Sequence, residues 1–317
     1  MSESVSEPGS GPVSEPVGDP FTDDRGLLFT VAYEILGTVS DAEDAVQDAW
    51  ERWKTANTTL VEHPRAYAAR IVARVALNRL RSAVRRRETY VGPWLPEPVL
   101  TAPDVADDVA RADEVSTAML VVLETLSPAE RAVFVLREIF DLPVADVAQV
   151  VDRSEPAVRQ LAHRARTHVL ARRPRYDADR DLHRAVTAAF LSACRRGDLD
   201  ALVSLLDPDI RLVSDGGGLV SAARRPIDGA GAVARFLLGL ARRYEGIDVV
   251  SCELNGEPGL VLVADGEPIS TLQLGVRDGR IGHIWSMRNP EKLASVSTTR
   301  SLVVEALRAG PGVRGPA

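Results

Sequence analysis

The stretch that decides the fold covers residues 144–166 and reads VADVAQVVDRSEPAVRQLAHRAR. Its first apolar residues predict a short helix, and Asp152 opens a tight turn. Ser154 is a suitable N-cap, and Pro156 fits the first turn of a second helix. That second helix has one apolar side and leaves polar side chains on the others. The pattern predicts a helix-turn-helix, whose second helix fits a DNA major groove of about 12 Å. A plain helical hairpin is the alternative.

Arginine is concentrated in two stretches of this chain, although the net charge of the 317 residues is −7. Arg65–Arg87 contains eight arginines and no acidic residue. Arg153–Arg175, which includes the second helix above, contains seven arginines against Glu155 alone. Contacts with DNA phosphates need such local concentrations of positive charge. Either stretch alone is also compatible with a solvated helix face.

The composition indicates a globular protein, with 45% apolar and 26% charged residues. No apolar run approaches the roughly 20 residues of a membrane helix, so no membrane partner is expected. Cys194 and Cys252 make neither a disulfide framework nor a zinc site. We therefore expect a cytoplasmic protein.

Two helical domains are predicted, over residues 19–92 and 115–175. In the first, Ser40 and Glu43 have the spacing of a capping box, and Pro64 suits the first turn of a later helix. That later helix places a line of hydrogen-bond donors on one face: Arg70, Arg74, Asn78, Arg81 and Arg85. The line could bind phosphates, an acidic protein or nothing. In the second domain, Ser127 and Glu130 flank a proline and predict a strong helix start.

The remaining segments differ in character. Prolines break the helical pattern in residues 93–114, which predict an acidic linker with Trp94 and Leu95 as its apolar anchor. Residues 178–296 predict an α+β domain, with strands at 247–254, 259–265, 269–277 and 280–288. We expect a disordered tail at residues 1–18 and a mobile tail at residues 297–317.

Three segments together resemble extracytoplasmic-function sigma factors. Asp41–Trp50 resembles their polymerase-binding segment, Leu126–Glu138 the start of their domain 4, and Val158–Arg166 their −35 recognition helix. The resemblance covers roughly residues 19–175. It implies a transcription initiation factor whose partners are core RNA polymerase and promoter DNA.

The resemblance also implies site residues. Those that contact the polymerase clamp would be Asp44, Gln47, Asp48 and Trp50, although Trp50 also fits a helix core. Those that handle the −10 element would be Arg70, Arg74, Asn78 and Arg81. Those that read the −35 element would be Arg153, Ser154, Arg159, Gln160, His163 and Arg164.

A narrower resemblance is to the subgroup with a SnoaL-like extension, the sigma factor J type. It is carried by Trp94–Pro98, Asp215–Gly218 and Asn289–Leu293. It implies a cone-shaped α+β domain that regulates in place of a separate anti-sigma factor. We expect this domain to pack on the first two and on the linker, and so to set their separation. The regulatory contacts would include Trp94, Leu95, Pro96, Asp215, Gly216, Gly217, Asn289 and Pro290.

Two other functions stay open at this stage. One is a helix-turn-helix regulator with a ligand-sensing domain. The other is an isomerase or cyclase, for which a base and an oxyanion donor would come from Asp215, His283, Tyr244 and Arg288. We favour the regulatory role, and predict no catalytic site, no metal and no cofactor. A small apolar ligand in the cone could shift the regulation through its different affinity for two arrangements.

Overall fold

The computed structural model describes residues 19–56, 61–101, 116–172, 179–244 and 246–298. The predicted tail at residues 1–18 lies outside the described residues. So do residues 102–114 of the predicted linker and residues 299–317 of the predicted C-terminal tail. The predicted domain boundaries stay predictions.

The described residues of the first helical unit form α1 (Pro20–Asp23), α2 (Arg25–Leu36), α3 (Val39–Thr55) and α4 (Pro64–Arg87). Gly37 ends α2 in the left-handed conformation, with φ 78°. The predicted capping box at Ser40 is wrong, because α3 begins at Val39. The reason is tertiary: the Val39 amide donates to Oε2 of Glu97 at 2.8 Å. A linker carboxylate therefore takes a free amide at this helix start.

The second helical unit contains α5 (Thr117–Leu123), α6 (Pro128–Phe134), α7 (Val144–Val151) and α8 (Glu155–Arg172). The predicted capping box of Ser127 and Glu130 is confirmed at the start of α6. A π-helical turn over Val135–Ile139, which the sequence did not indicate, continues α6. Between α7 and α8, Asp152 adopts the left-handed conformation with φ 57°. The predicted helix-turn-helix is confirmed.

The C-terminal unit combines helices with a sheet. The helices are α9 (Arg180–Arg196), α10 (Leu199–Leu205), α11 (Ala230–Arg243) and α12 (Ala294–Thr298). The strands are β1 (Leu206–Asp215), β2 (Ile227–Asp228), β3 (Asp248–Leu254), β4 (Glu257–Ala264), β5 (Glu267–Arg277) and β6 (Arg280–Met287). In the described residues they form one six-stranded sheet in the order β2-β1-β6-β5-β4-β3. Only β1 and β6 pair in parallel. The four predicted strands and the α+β character are confirmed.

The hydrophobic clusters show how the units are joined. One buried cluster runs through both helical units, so the two pack directly on each other. A second fills the C-terminal unit between its sheet and α9 and α11. A third joins Leu95 of the linker and Ala118 of α5 to Trp285 and Met287 of β6. Because apolar burial drives such packing, the linker is held between all three units. No described helix is both long and apolar enough to cross a lipid bilayer.

Candidate functional site

The six residues predicted to read the −35 element form one exposed surface on the helix-turn-helix. All six side chains are exposed: Arg153, Ser154, Arg159, Gln160, His163 and Arg164. The apolar side of α8 is buried through Val158, Leu161 and Ala165. Nη2 of Arg159 lies 2.7 Å from Oε2 of Glu155, one helical turn earlier, and both side chains are exposed. The surface is therefore accessible, and guanidinium and amide groups of this kind can pair with base edges.

The donor line on α4 is only partly accessible. Arg74, Asn78 and Arg81 are exposed, and Nη1 of Arg81 donates to Oδ1 of Asn78 at 3.1 Å. Arg70 points instead to the second helical unit. Its Nη1 lies 2.7 Å from Oδ1 of Asp146 on α7, and the side chain is 24% exposed. The ion pair with Asp146 thus engages Arg70, which is one of the four residues predicted to handle the −10 element.

The acidic surface predicted to contact the polymerase clamp lies on the outer face of α3. Asp44, Gln47 and Asp48 are exposed. Arg79 of α4 bridges the two carboxylates, at 3.2 Å from Asp44 and 2.6 Å from Asp48. Trp50 is half-buried and packs against the hydrophobic cluster. These observations locate the side chains, and their contacts with the polymerase clamp and with DNA stay predictions.

Trp94 of the linker is enclosed by cations from two units. Arg87 of α4 lies 3.6 Å from the ring centroid, and Nζ of Lys292 from the C-terminal unit lies 3.9 Å from it. Arg87 also pairs with Glu124, which in turn pairs with Arg131 of α6. Cation–π contacts in such dry places contribute on the order of 2 kcal/mol. Trp94 therefore connects both helical units to the C-terminal one.

Asp215, at the end of β1, is the polar centre of this junction. It is 0% exposed, yet its carboxylate accepts four hydrogen bonds. The donors are Tyr90 Oη at 2.6 Å, Leu95 N at 2.9 Å, Gly217 N at 3.0 Å and Lys292 Nζ at 2.8 Å. Burial lowers the pKa of Lys292 to about 8, against the opposite effect of Asp215. The carboxylate and the ammonium therefore compensate for each other's burial.

The linker beyond Leu95 runs to the end of β3, where it forms a single bridge. Pro96 is buried, and Leu100 forms an antiparallel bridge with Leu254. The Tyr33 hydroxyl of α2 donates to the Glu97 carbonyl at 2.6 Å and accepts from Asn255 at 2.7 Å. Burial raises the pKa of the Glu97 carboxyl above its ordinary value. The linker thus contacts α2 on one side and the end of β3 on the other.

The glycine run packs tightly against the turn after β6. At Gly217, with φ 62°, a Cβ would lie 2.5 Å from Nδ2 of Asn289, so no larger residue fits without movement. A Cβ on Gly216 would lie 2.7 Å from that of Ala222. Asn289 donates to Tyr90 Oη at 2.9 Å, while Pro290 in the same turn is exposed. Of the predicted regulatory contacts, Trp94, Leu95, Asp215, Gly217 and Asn289 meet at this junction.

Comparison with known proteins identifies the family. Residues 21–86 match the family described as Sigma-70 region 2, and residues 116–169 match Sigma-70, region 4. The ECF RNA polymerase sigma factor SigJ of Mycobacterium tuberculosis is 42% identical over 283 residues, which cover 84% of this chain and 90% of that relative. The chain belongs to the extracytoplasmic-function sigma factors. A crystal structure of M. tuberculosis SigJ is similar with a TM-score of 0.72 at 38% identity, covering 87% of this chain and 97% of that one.

This sigma factor is a transcription initiation factor that directs RNA polymerase to promoters, as predicted. The predicted architecture, two helical sigma domains followed by an α+β domain, is confirmed as well. The region 2 match excludes the alternative of a helix-turn-helix regulator with a ligand-sensing domain, because such a regulator has no sigma region 2.

The four residues considered for catalysis take part in other contacts. All four hydrogen bonds to Asp215 come from groups at the junction. His283 stacks on Trp285, with ring centroids 5.6 Å apart, and burial lowers its pKa. Arg288 donates to the Tyr244 hydroxyl at 2.8 Å. Tyr90, Arg87 and Asp146 were not predicted as site residues. Lys292 was included only within Asn289–Leu293, although a lysine beside a buried turn indicates a paired charge.

Proposed function

We propose that this sigma factor reads the −35 element with α8 and the −10 element with α4, and is regulated in cis by its C-terminal unit. In this proposal the C-terminal unit fixes the linker and so keeps the two sigma domains paired. The observation that carries it is the Arg70–Asp146 ion pair of 2.7 Å, which joins the predicted −10 and −35 modules directly.

The ion pair supports a closed arrangement that must open for promoter binding. A guanidinium bound to Asp146 is not available to a phosphate or a melted base. Asp146 also lies on α7, the first helix of the helix-turn-helix, so the two modules contact each other instead of separate promoter elements. Opening must separate the contact surface between α4 and α7, and the Arg70–Asp146 ion pair helps to hold that surface closed.

The junction supports the C-terminal unit as the regulator of that opening. Asp215 and Lys292 bind the linker through Leu95 N and Leu95 O, at 2.9 and 2.7 Å. While these bonds hold, the linker cannot extend to let the sigma domains part. A change of a few kcal/mol in docking would move the closed and open populations by several powers of ten.

Truncation after residue 177 tests the proposal. Core RNA polymerase is titrated with the full chain and with the truncated chain, and runoff transcription is measured from the same promoter. We expect both core affinity and transcription to change, because the linker is released. Unchanged values for both would refute regulation in cis. The full chain with Asp228→Asn, an exposed change remote from the linker, serves as the control.

The finer partner assignments belong to the same proposal. Asp44, Gln47 and Asp48 would contact the polymerase clamp, and Trp50 would support their helix. The protein would act in the cytoplasm, where core polymerase and promoters are found. A cavity inside the C-terminal unit supports a small apolar ligand as a further partner.

A further inference from the structure

A half-open cavity of about 470 Å³ lies in the C-terminal unit between α9, α11 and the sheet. Phe190 of α9, Leu237 and Leu238 of α11, and Leu260 and Leu272 of the sheet line it. All five belong to the hydrophobic cluster of this unit. Ligand cavities commonly measure about 300–1,000 Å³, so the volume suits a small molecule. The lining requires that most of this molecule be apolar.

The mouth of the cavity is positively charged. Arg195 and Arg196 at the end of α9 and Arg242 at the end of α11 line it, and all three are exposed. Arg196 lies 4.0 Å from Asp198. A helix C-terminus carries about half a negative charge, so the two helix ends offset about one cation. No carboxylate among the described residues lines the cavity, so positive charge exceeds negative charge among the described lining groups.

The other polar groups of the lining are neutral. Burial raises the pKa of the Cys194 thiol to about 12, so it stays protonated and adds no negative charge. The Tyr244 hydroxyl accepts a hydrogen bond from Arg288 at 2.8 Å, which leaves its own O–H as a donor. The mouth therefore offers cations and donors, to which an anionic group is complementary.

We infer that this cavity binds an amphiphile with an apolar body and one anionic head group, such as a medium-chain carboxylate. The apolar chain packs on the side chains that line the cavity, and Arg195 and Arg242 hold the head group at the mouth. The inference names the ligand class of the C-terminal unit. Its regulatory consequence rests on the proposed function, in which that unit is the regulator. The binding itself requires no polymerase.

Calorimetric titration of the full-length protein with decanoate tests the inference. We expect saturable binding at one site. Decanol, which has the same apolar chain without the charge, should bind at least about ten-fold more weakly, because it leaves the guanidinium groups without an anion. Decyltrimethylammonium should not compete. Absence of saturable decanoate binding would overturn the inference, and so would decanol binding of equal affinity.

Variants locate the binding. Leu238→Trp and Ala241→Phe each fill the cavity and should abolish decanoate binding. Because Ala241 is only half-buried, Ala241→Phe keeps the test valid if Leu238→Trp does not fold. Arg195→Gln combined with Arg242→Gln should weaken decanoate at least about ten-fold and leave decanol unchanged. Arg235→Gln, an exposed change on α11 outside the cavity, is the control. Decanoate binding that survives all of these variants would overturn the inference.

The two proposals can fail separately. A negative titration leaves regulation in cis standing, because truncation and transcription test it without any ligand. Unchanged transcription and unchanged core affinity after truncation would refute regulation in cis, and the measured decanoate affinities would still stand.

Discussion

Replacing Asp215 by asparagine should release the linker from the C-terminal unit. The substitution keeps the size of the side chain but removes the charge that accepts bonds from Tyr90, Leu95, Gly217 and Lys292. The amide NH₂ of asparagine must also face one of these donors. The ammonium of Lys292, whose side chain is 8% exposed, is then left without its carboxylate. Its remaining bond is to the Leu95 carbonyl at 2.7 Å.

The expected magnitude follows from the burial of this pair. Removing one partner of a buried ion pair costs about 3–5 kcal/mol. Lys292→Met removes two charged hydrogen bonds, to Asp215 and to the Leu95 carbonyl, but it should cost less because Asp215 keeps three donors and no buried ammonium is left behind. Burial already lowers the pKa of Lys292 to about 8, so the ammonium is poorly solvated and its removal recovers part of the loss.

Hydrogen exchange of the Leu95 amide measures this opening directly, because that amide donates to Asp215 at 2.9 Å. With about 1.36 kcal/mol per factor of ten, Asp215→Asn should speed its exchange roughly a hundred- to several-thousand-fold. The Glu97 amide donates to the Gly37 carbonyl of the first sigma domain, and should change less. Unchanged Leu95 exchange in Asp215→Asn, or a larger effect of Lys292→Met, would refute the reasoning. Asp228→Asn should leave the exchange unaltered.

Four further outcomes are expected. Asp146→Asn removes the partner of Arg70 without changing the predicted DNA contact, and should raise runoff transcription; a decrease would contradict the closed arrangement. Arg159→Ala should relax base preference in the −35 element by about 1–3 kcal/mol in competition binding, whereas uniform weakening over all promoters would make Arg159 a phosphate contact. Asp48→Ala should weaken core polymerase affinity in titration and keep promoter preference; unchanged affinity would count against the clamp assignment. Burial raises the pKa of Glu257 from 4.5 to about 7, so the folded form binds more protons than the unfolded form in that window. Stability should therefore fall as the pH rises through it, and thermal melting of Glu257→Gln should lack this fall.

Much of the fold could be predicted because its signals are local. Ser127 and Glu130 cap a helix across three residues, and the structure contains both hydrogen bonds of that capping box. The hairpin turns at Asn255-Gly256 and Asp278-Gly279 use residues that tolerate positive φ, and all four have it. The exposed face of α8 follows from the helical spacing of its apolar residues.

The site was predicted less completely, because its contacts join distant parts of the chain. Arg70 and Asp146 are 76 positions apart, and Lys292 and Asp215 are 77 apart. Tyr90 meets Asp215 across 125 positions. No periodic pattern marks such a pair, since each residue alone resembles an ordinary surface group.

By itself, the sequence determined the elements of this sigma factor: two arginine-rich helical modules, a proline-broken linker and an α+β unit behind them. Helix periodicity, capping and turn chemistry depend on residues a few positions apart, so they can be seen in the chain. Only the tertiary structure decided that Arg70 faces Asp146 and that Trp94 lies between Arg87 and Lys292. These contacts depend on how whole units pack on one another. The packing free energy comes from the whole buried surface between the units, and no short stretch of sequence contains that surface.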